Sequence, residues 1–191
     1  MDDTASGMTT IQETAGRGLT GERAVLLETL AKHRMLFRHT VTGLSETDAR
    51  RRTTASVLTL GGLLKHVVEV ERGWLDFVET GHVEGSEKWA DFTPEAVADG
   101  TTPEREDMTL GDDESVAGWL ERWDDVAART DAFVATGDLD ITHPLPDAPW
   151  NPPGMSWSAR HVLAHVIGET AQHSGHADII RESMDGQKSM G

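Results

Sequence analysis

The sequence predicts an all-α protein, a four-helix bundle. Apolar residues recur at spacings of three and four along four long segments, no segment alternates convincingly as a strand would, and no internal repeat divides the chain. At 191 residues the chain has the size of one ordinary domain.

Residues 1–18 are short and polar, with Gly7, Gly16 and Gly18, and carry no period that buries a face. They read as a disordered tail ahead of one domain over residues 19–186, with 187–191 as a C-terminal tail. The first helix opens at Thr20 as N-cap, carries Val25, Leu26, Leu27, Leu30, Met35, Leu36 and Phe37, and ends near Arg38. A turn and a second cap signal at Ser45 predict a short helical connector. The second helix starts after Ser56 or Thr59 and reaches Thr80, where Gly81 stops it.

Residues 81–111 contain Gly81, Gly85, Gly100, Gly111, Pro94 and Pro103, with Trp89 and Phe92 set in polar sequence and no sustained period. A connection of that length exceeds chain closure and points to function. The third helix runs from Asp112 to Thr136 on Val116, Trp119, Leu120, Trp123, Val126, Ala127 and Phe133. Pro144, Pro146, Pro149, Pro152 and Pro153 keep residues 137–155 from forming a long helix. The fourth helix opens on a Ser156 or Ser158 cap and closes near Asp185 before Gly186. Long loops therefore separate helices two and three and helices three and four.

Composition excludes several classes of function. Lys plus Arg number 17 and Asp plus Glu 33, so the formal charge is −16, which disfavours nucleic acid and anionic membrane surfaces. The chain has no cysteine, so sulfur chemistry needs a thiol from outside. No apolar run reaches the roughly 20 residues of a membrane span, and the start MDDTASGMTT lacks the basic-then-apolar order of a signal peptide. A soluble cytoplasmic protein, monomer or homodimer, is the expectation.

The informative segment is 157–182, WSARHVLAHVIGETAQHSGHADIIRE. At about 100° per residue and with Glu169 at zero, Val162 lies at about +20°, His165 about −40°, His173 about +40°, His176 about −20° and Ile180 about +20°. One narrow stripe thus holds four ionisable residues between two apolar ones. It can face solvent, although Val162 and Ile180 argue against that; it can be a buried His–Glu hydrogen-bond network; or it can hold a metal, since a Glu and a His one turn apart both reach one ion. A third ligand would come from helix two. There His66 sits at the margin of an apolar face made by Leu63, Val70, Trp74 and Phe77. A lone histidine at such a margin is ordinarily a hydrogen-bonded core residue, but beside the second stripe it becomes a candidate ligand.

The stretches TLGGLLKHVVEVERGWLDF and WSARHVLAHVIGETAQHSGHADIIRE, with SWSA before the second and MDG closing it, resemble the DinB-like metalloenzyme superfamily. Within it they are similar to the mycothiol-dependent S-transferase and maleylpyruvate isomerase branch and its DUF664 relatives. The resemblance implies an up-down-down-up bundle in which one histidine of helix two and two residues of helix four bind a divalent metal, usually zinc. In this branch the ligands are His, Glu and His with the last two four apart, and the H-S-G-H segment selects His173 and hence Glu169. The implied ligands are His66, Glu169 and His173. His161 and His165 continue the same ladder, so a slip of one turn would pair His165 with Glu169. The same resemblance puts His176, His165, Arg160 and Trp157 around the metal or in a substrate pocket. Trp89, Phe92, His143 and Trp150 are candidates for the pocket mouth or plain loop anchors. Arg160 and Arg181 would meet an anionic substrate or neighbouring acids such as Asp178 and Glu182.

Two imidazoles and one carboxylate leave a tetrahedral zinc with one net positive charge and an open position; iron(II) accepts the same donors. A thiol there is held as thiolate near neutral pH, whereas water there becomes a hydrolytic nucleophile. The expected function is a metal-dependent transferase that uses a low-molecular-weight thiol, mycothiol by resemblance, against an electrophile. A hydrolase on the same triad and a non-catalytic metal or small-ligand binding bundle are the alternatives.

Overall fold

A computed structural model describes residues 18–99 and 108–189. The expected N-terminal tail over 1–18 lies almost wholly outside the described residues, as do part of the 81–111 connection and the last two positions of the C-terminal tail. Among the described residues the regular structure is all helical apart from one small ribbon. Helix α1 spans Glu22–Val41, α2 Glu46–Ala49, α3 Leu60–Thr80, α4 Pro94–Asp99, α5 Val116–Thr136 and α6 Ala159–Asp185, with a 3₁₀ helix over Ser86–Asp91.

Local chemistry sets most of these boundaries. The hydroxyls of Ser45, Thr59, Ser115 and Ser158 accept from backbone N–H groups of the first turns of α2, α3, α5 and α6. Gly81 and Gly186 end α3 and α6 in the left-handed region, at φ 77° and 81°, where a side chain would be strained. At α1 the expected Thr20 cap is not used: Gly21 stands at the N-cap with φ 67° and no side chain caps the helix. α5 begins four residues later than the expected start at Asp112, because Ser115 captures the first turn while Gly111 is held by the Glu114 carboxylate.

Two expectations need correction. The 81–111 connection is not free of regular structure, since it contains the 3₁₀ helix and α4; six-residue helices are too short to imprint a period. A strand pair also exists. β1 (Thr142–Pro144) pairs antiparallel with β2 (Ser156–Ser158), placing His143 opposite Trp157. Three residues with prolines nearby give no readable alternation, and only the pairing defines them as strands.

α6 packs on α1 and on α3, α3 packs on α5, and α5 returns to α1. The core has two parts. Phe37, Val41, Leu60, Leu63, Leu64, Val67, Trp119, Trp123, Ala177 and Ile180 belong to one; Leu27, Leu30, Phe77, Val78, Val134, Leu139, Val162, Leu163 and Val166 belong to the other. Along each long helix a buried polar residue marks the change from one part to the other: Arg34, Glu71, Thr130, Thr170 and Ser174. Glu71, 1% exposed, accepts hydrogen bonds from the Arg34 guanidinium and, at 2.8 Å, from Trp123 Nε1, while Arg34 also reaches Asp131 at 2.8 Å. No helix among the described residues is long and apolar enough to cross a membrane.

Candidate metal centre

The candidate centre lies between α3 and α6, at the level of that polar layer. α6 sets Glu169 and His173 one turn apart, and α3 brings His66 across to them. His173 Nε2 lies 3.4 Å and His66 Nε2 3.8 Å from Glu169 Oε2. The two rings meet edge to face with centroids 4.7 Å apart. One ligating atom from each residue lies within 4.8 Å of the other two. Neighbouring donors on a tetrahedral zinc with bonds of about 2.0–2.2 Å stand about 3.3 Å apart, so this donor set suits such an ion in both chemistry and spacing.

Electrostatics agree with that fit. The His173 and His66 rings hold the Glu169 carboxyl far below the usual carboxylate range, outweighing the burial that would raise it. The group is therefore anionic at neutral pH without help from an ion. His66 is buried, while Glu169 and His173 are half-buried, which leaves the cluster approachable from one side. Nε2 of His173 faces Glu169 and its Nδ1 lies 3.3 Å from Nδ1 of His176, so a proton on one of these two nitrogens fixes the tautomer and ring orientation of the other.

The other residues expected around the centre divide. His165 Nε2 faces the opposite carboxylate oxygen, Glu169 Oε1, at 3.8 Å. Burial pushes its pKa down, and its ring packs against Trp74 and Trp157. Trp157 stacks on His161 with planes 12° apart and on Trp74. Arg160 is not brought to the cluster. It pairs with Glu22 and Asp140, because nine residues from Glu169 is about two and a half turns and turns it to the opposite face. Arg181 binds Asp185, Gln187 and the carbonyls of Thr40 and Thr42 in place of Asp178 or Glu182. His143 lies against Phe77 with Nε2 3.1 Å from the Val78 carbonyl.

The buried Glu71 pair escaped the sequence reading. Its signal is a second apolar line on α3, Leu64, Val67, Val68, Leu75 and Val78, that Glu71 interrupts. Expecting one buried face hid it, since Val70 and Trp74 on the His66 side are half-buried while that second line is the fully buried one.

Fold and cluster together define a helical protein with two imidazoles and a carboxylate converging from neighbouring helices, a donor set of the kind that holds one divalent ion. The sequence profile of the mycothiol-S-transferase family matches residues 25–186. The chain belongs to that family, a member of the DinB-like superfamily. No curated protein matches it.

Proposed function

We propose that the protein is a metal-dependent thiol transferase in which His66, Glu169 and His173 hold one zinc ion, and that mycothiol is the thiol it joins to an electrophile. The observation that carries this is the convergence of the three donor atoms within 4.8 Å across two helices, in a chain whose family is named for that transfer. When bound, the ion supplies Lewis acidity that keeps a thiol deprotonated near neutral pH. Glu169 brings the negative charge that balances a dication and is ionised in advance, while His176 orients His173. Half-burial of Glu169 and His173 leaves one side open for sulfur to approach, and the chain has no cysteine of its own to compete there. The same proposal takes residues 19–186 as one cytoplasmic domain whose four long helices run up-down-down-up.

The test is zinc-loaded protein with mycothiol and a generic electrophile. The expected outcome is about one zinc per chain by elemental analysis and metal-dependent loss of thiol, both reduced at least about 100-fold in apparent affinity or rate by His66→Ala, more than loss of an outer partner of a metal site costs. A rate no higher than that of His66→Ala overturns the proposal. Turnover of an ester or amide without thiol would identify a hydrolase, and metal binding without product a non-catalytic bundle.

A further inference from the structure

Of the six tryptophans, Trp119 and Trp123 are core residues, whereas Trp74, Trp89, Trp150 and Trp157 gather on one flank of the candidate centre and none of these four is fully buried. They come from separate parts of the chain: α3, the 3₁₀ helix, the proline-rich loop and β2. Their rings are continuous. Trp74 stacks on Trp157 with centroids 5.0 Å apart and meets His165 edge-on at 5.1 Å, and His165 Nε2 is 3.8 Å from Glu169 Oε1. Outward, Trp74 touches Trp89 at 6.2 Å, Trp89 touches Trp150 at 5.8 Å, and Trp150 touches Phe92 at 6.1 Å. Trp150, at the outer end, is 56% exposed.

Trp74, Trp89 and Trp157 pack partly buried against the second part of the core, and with exposed Trp150 their rings also form an unbroken path from the surface toward the centre. Aromatic faces of this kind favour flat apolar rings. Charge narrows the class further. Every lysine and arginine on the two helices that carry the centre is already paired with a carboxylate: Lys65 with Glu114, Arg72 with Glu69, Asp76 and Glu84, Arg160 with Glu22 and Asp140, and Arg181 with Asp185. On those two helices an anionic substrate would find every basic side chain already paired, and it would approach a chain of formal charge −16.

We infer that the Trp74, Trp157, Trp89 and Trp150 flank is the electrophile subsite and selects an uncharged planar aromatic compound. Its place in turnover rests on the thiol-transfer proposal. There the thiol sulfur bonds to an electrophilic ring carbon, a halide leaves with the bonding electron pair, and the thiol proton passes to solvent.

Calorimetric titration of the full chain with 2,4-dinitroaniline, an unreactive aromatic probe, tests the subsite apart from catalysis. One equivalent is expected to bind, equally with and without zinc, with affinity lowered about tenfold in the Trp89→Ala/Trp150→Ala variant and about tenfold lower for anionic 2,4-dinitrobenzoate. Unchanged affinity in a double variant with native circular dichroism overturns the inference, and so does equal or tighter binding of the anion. Should the double variant fail to fold, Trp150→Ala alone decides, with a loss of about threefold expected and no loss overturning the assignment. Failure of thiol transfer shows separately, as no zinc-dependent loss of mycothiol while the dinitroaniline still binds.

Discussion

Glu71 shows what a single buried charge does in this core. It is 1% exposed and shares its carboxylate between the Arg34 guanidinium and the Trp123 indole N–H, joining α3, α1 and α5. Glu71→Ala leaves Arg34 buried without its main partner, so a loss of about 3–5 kcal/mol is expected by urea denaturation. A smaller effect from replacing Arg34 and Glu71 together by apolar residues would separate the pair's net worth from the cost of orphaning one member. Glu114 works at the rim. Its carboxylate accepts from Gly111 N–H at 2.6 Å and Lys65 Nζ at 3.0 Å. Burial alone would raise its pKa, but these donors outweigh it and hold the pKa below that of an ordinary glutamate. A depressed folded value means the contribution is complete above the unfolded value of about 4.3 and is lost as pH falls through the folded one. Wild type should therefore melt above Glu114→Gln at pH 6, with the gap closing as pH drops below about 4.3.

At the scale of elements, two glycines separate helix propensity from packing. Alanine is favoured over glycine in a helix by about 1 kcal/mol. In α6 a Cβ at Gly168 would meet nothing within 4 Å, whereas at Gly62 in α3 it would lie 2.0 Å from the Met108 carbonyl oxygen. Gly168→Ala should raise stability by about 0.5–1 kcal/mol. Gly62→Ala should lower it by about 1–3 kcal/mol, since backbone must move and the clash exceeds the propensity gain. Thermal and urea melts of the two variants check both signs. Much of the element level was legible beforehand. Ser45, Thr59, Ser158, Gly81 and Gly186 act within a few residues of themselves, so caps and stops can be read locally. The β1–β2 ribbon was not legible, because its strands exist only through each other across the proline-rich loop.

For the whole molecule, the formal charge of −16 opposes compactness through self-repulsion. Raising sodium chloride from about 10 to about 150 mM shortens the screening length from about 30 to about 8 Å. The melting temperature should rise by about 2–4 °C; a fall would mean that the surface ion pairs, such as Arg129 with Asp76 and Glu79, contribute more than the net repulsion removes. What the amino-acid sequence determined by itself was the helical class, the boundaries set by caps and glycines, and the stripe that puts His165, Glu169, His173 and His176 on one face of α6, because all of these follow from periodicity and contacts a few residues apart. What only the tertiary structure decided was the approach of His66 to Glu169 and His173, the burial of Glu71 against Arg34, the pairing of Arg160 with Glu22 and Asp140, and the assembly of four distant tryptophans into one flank. Those depend on how helices and loops pack across the molecule, and that is set by the summed burial of many side chains at once.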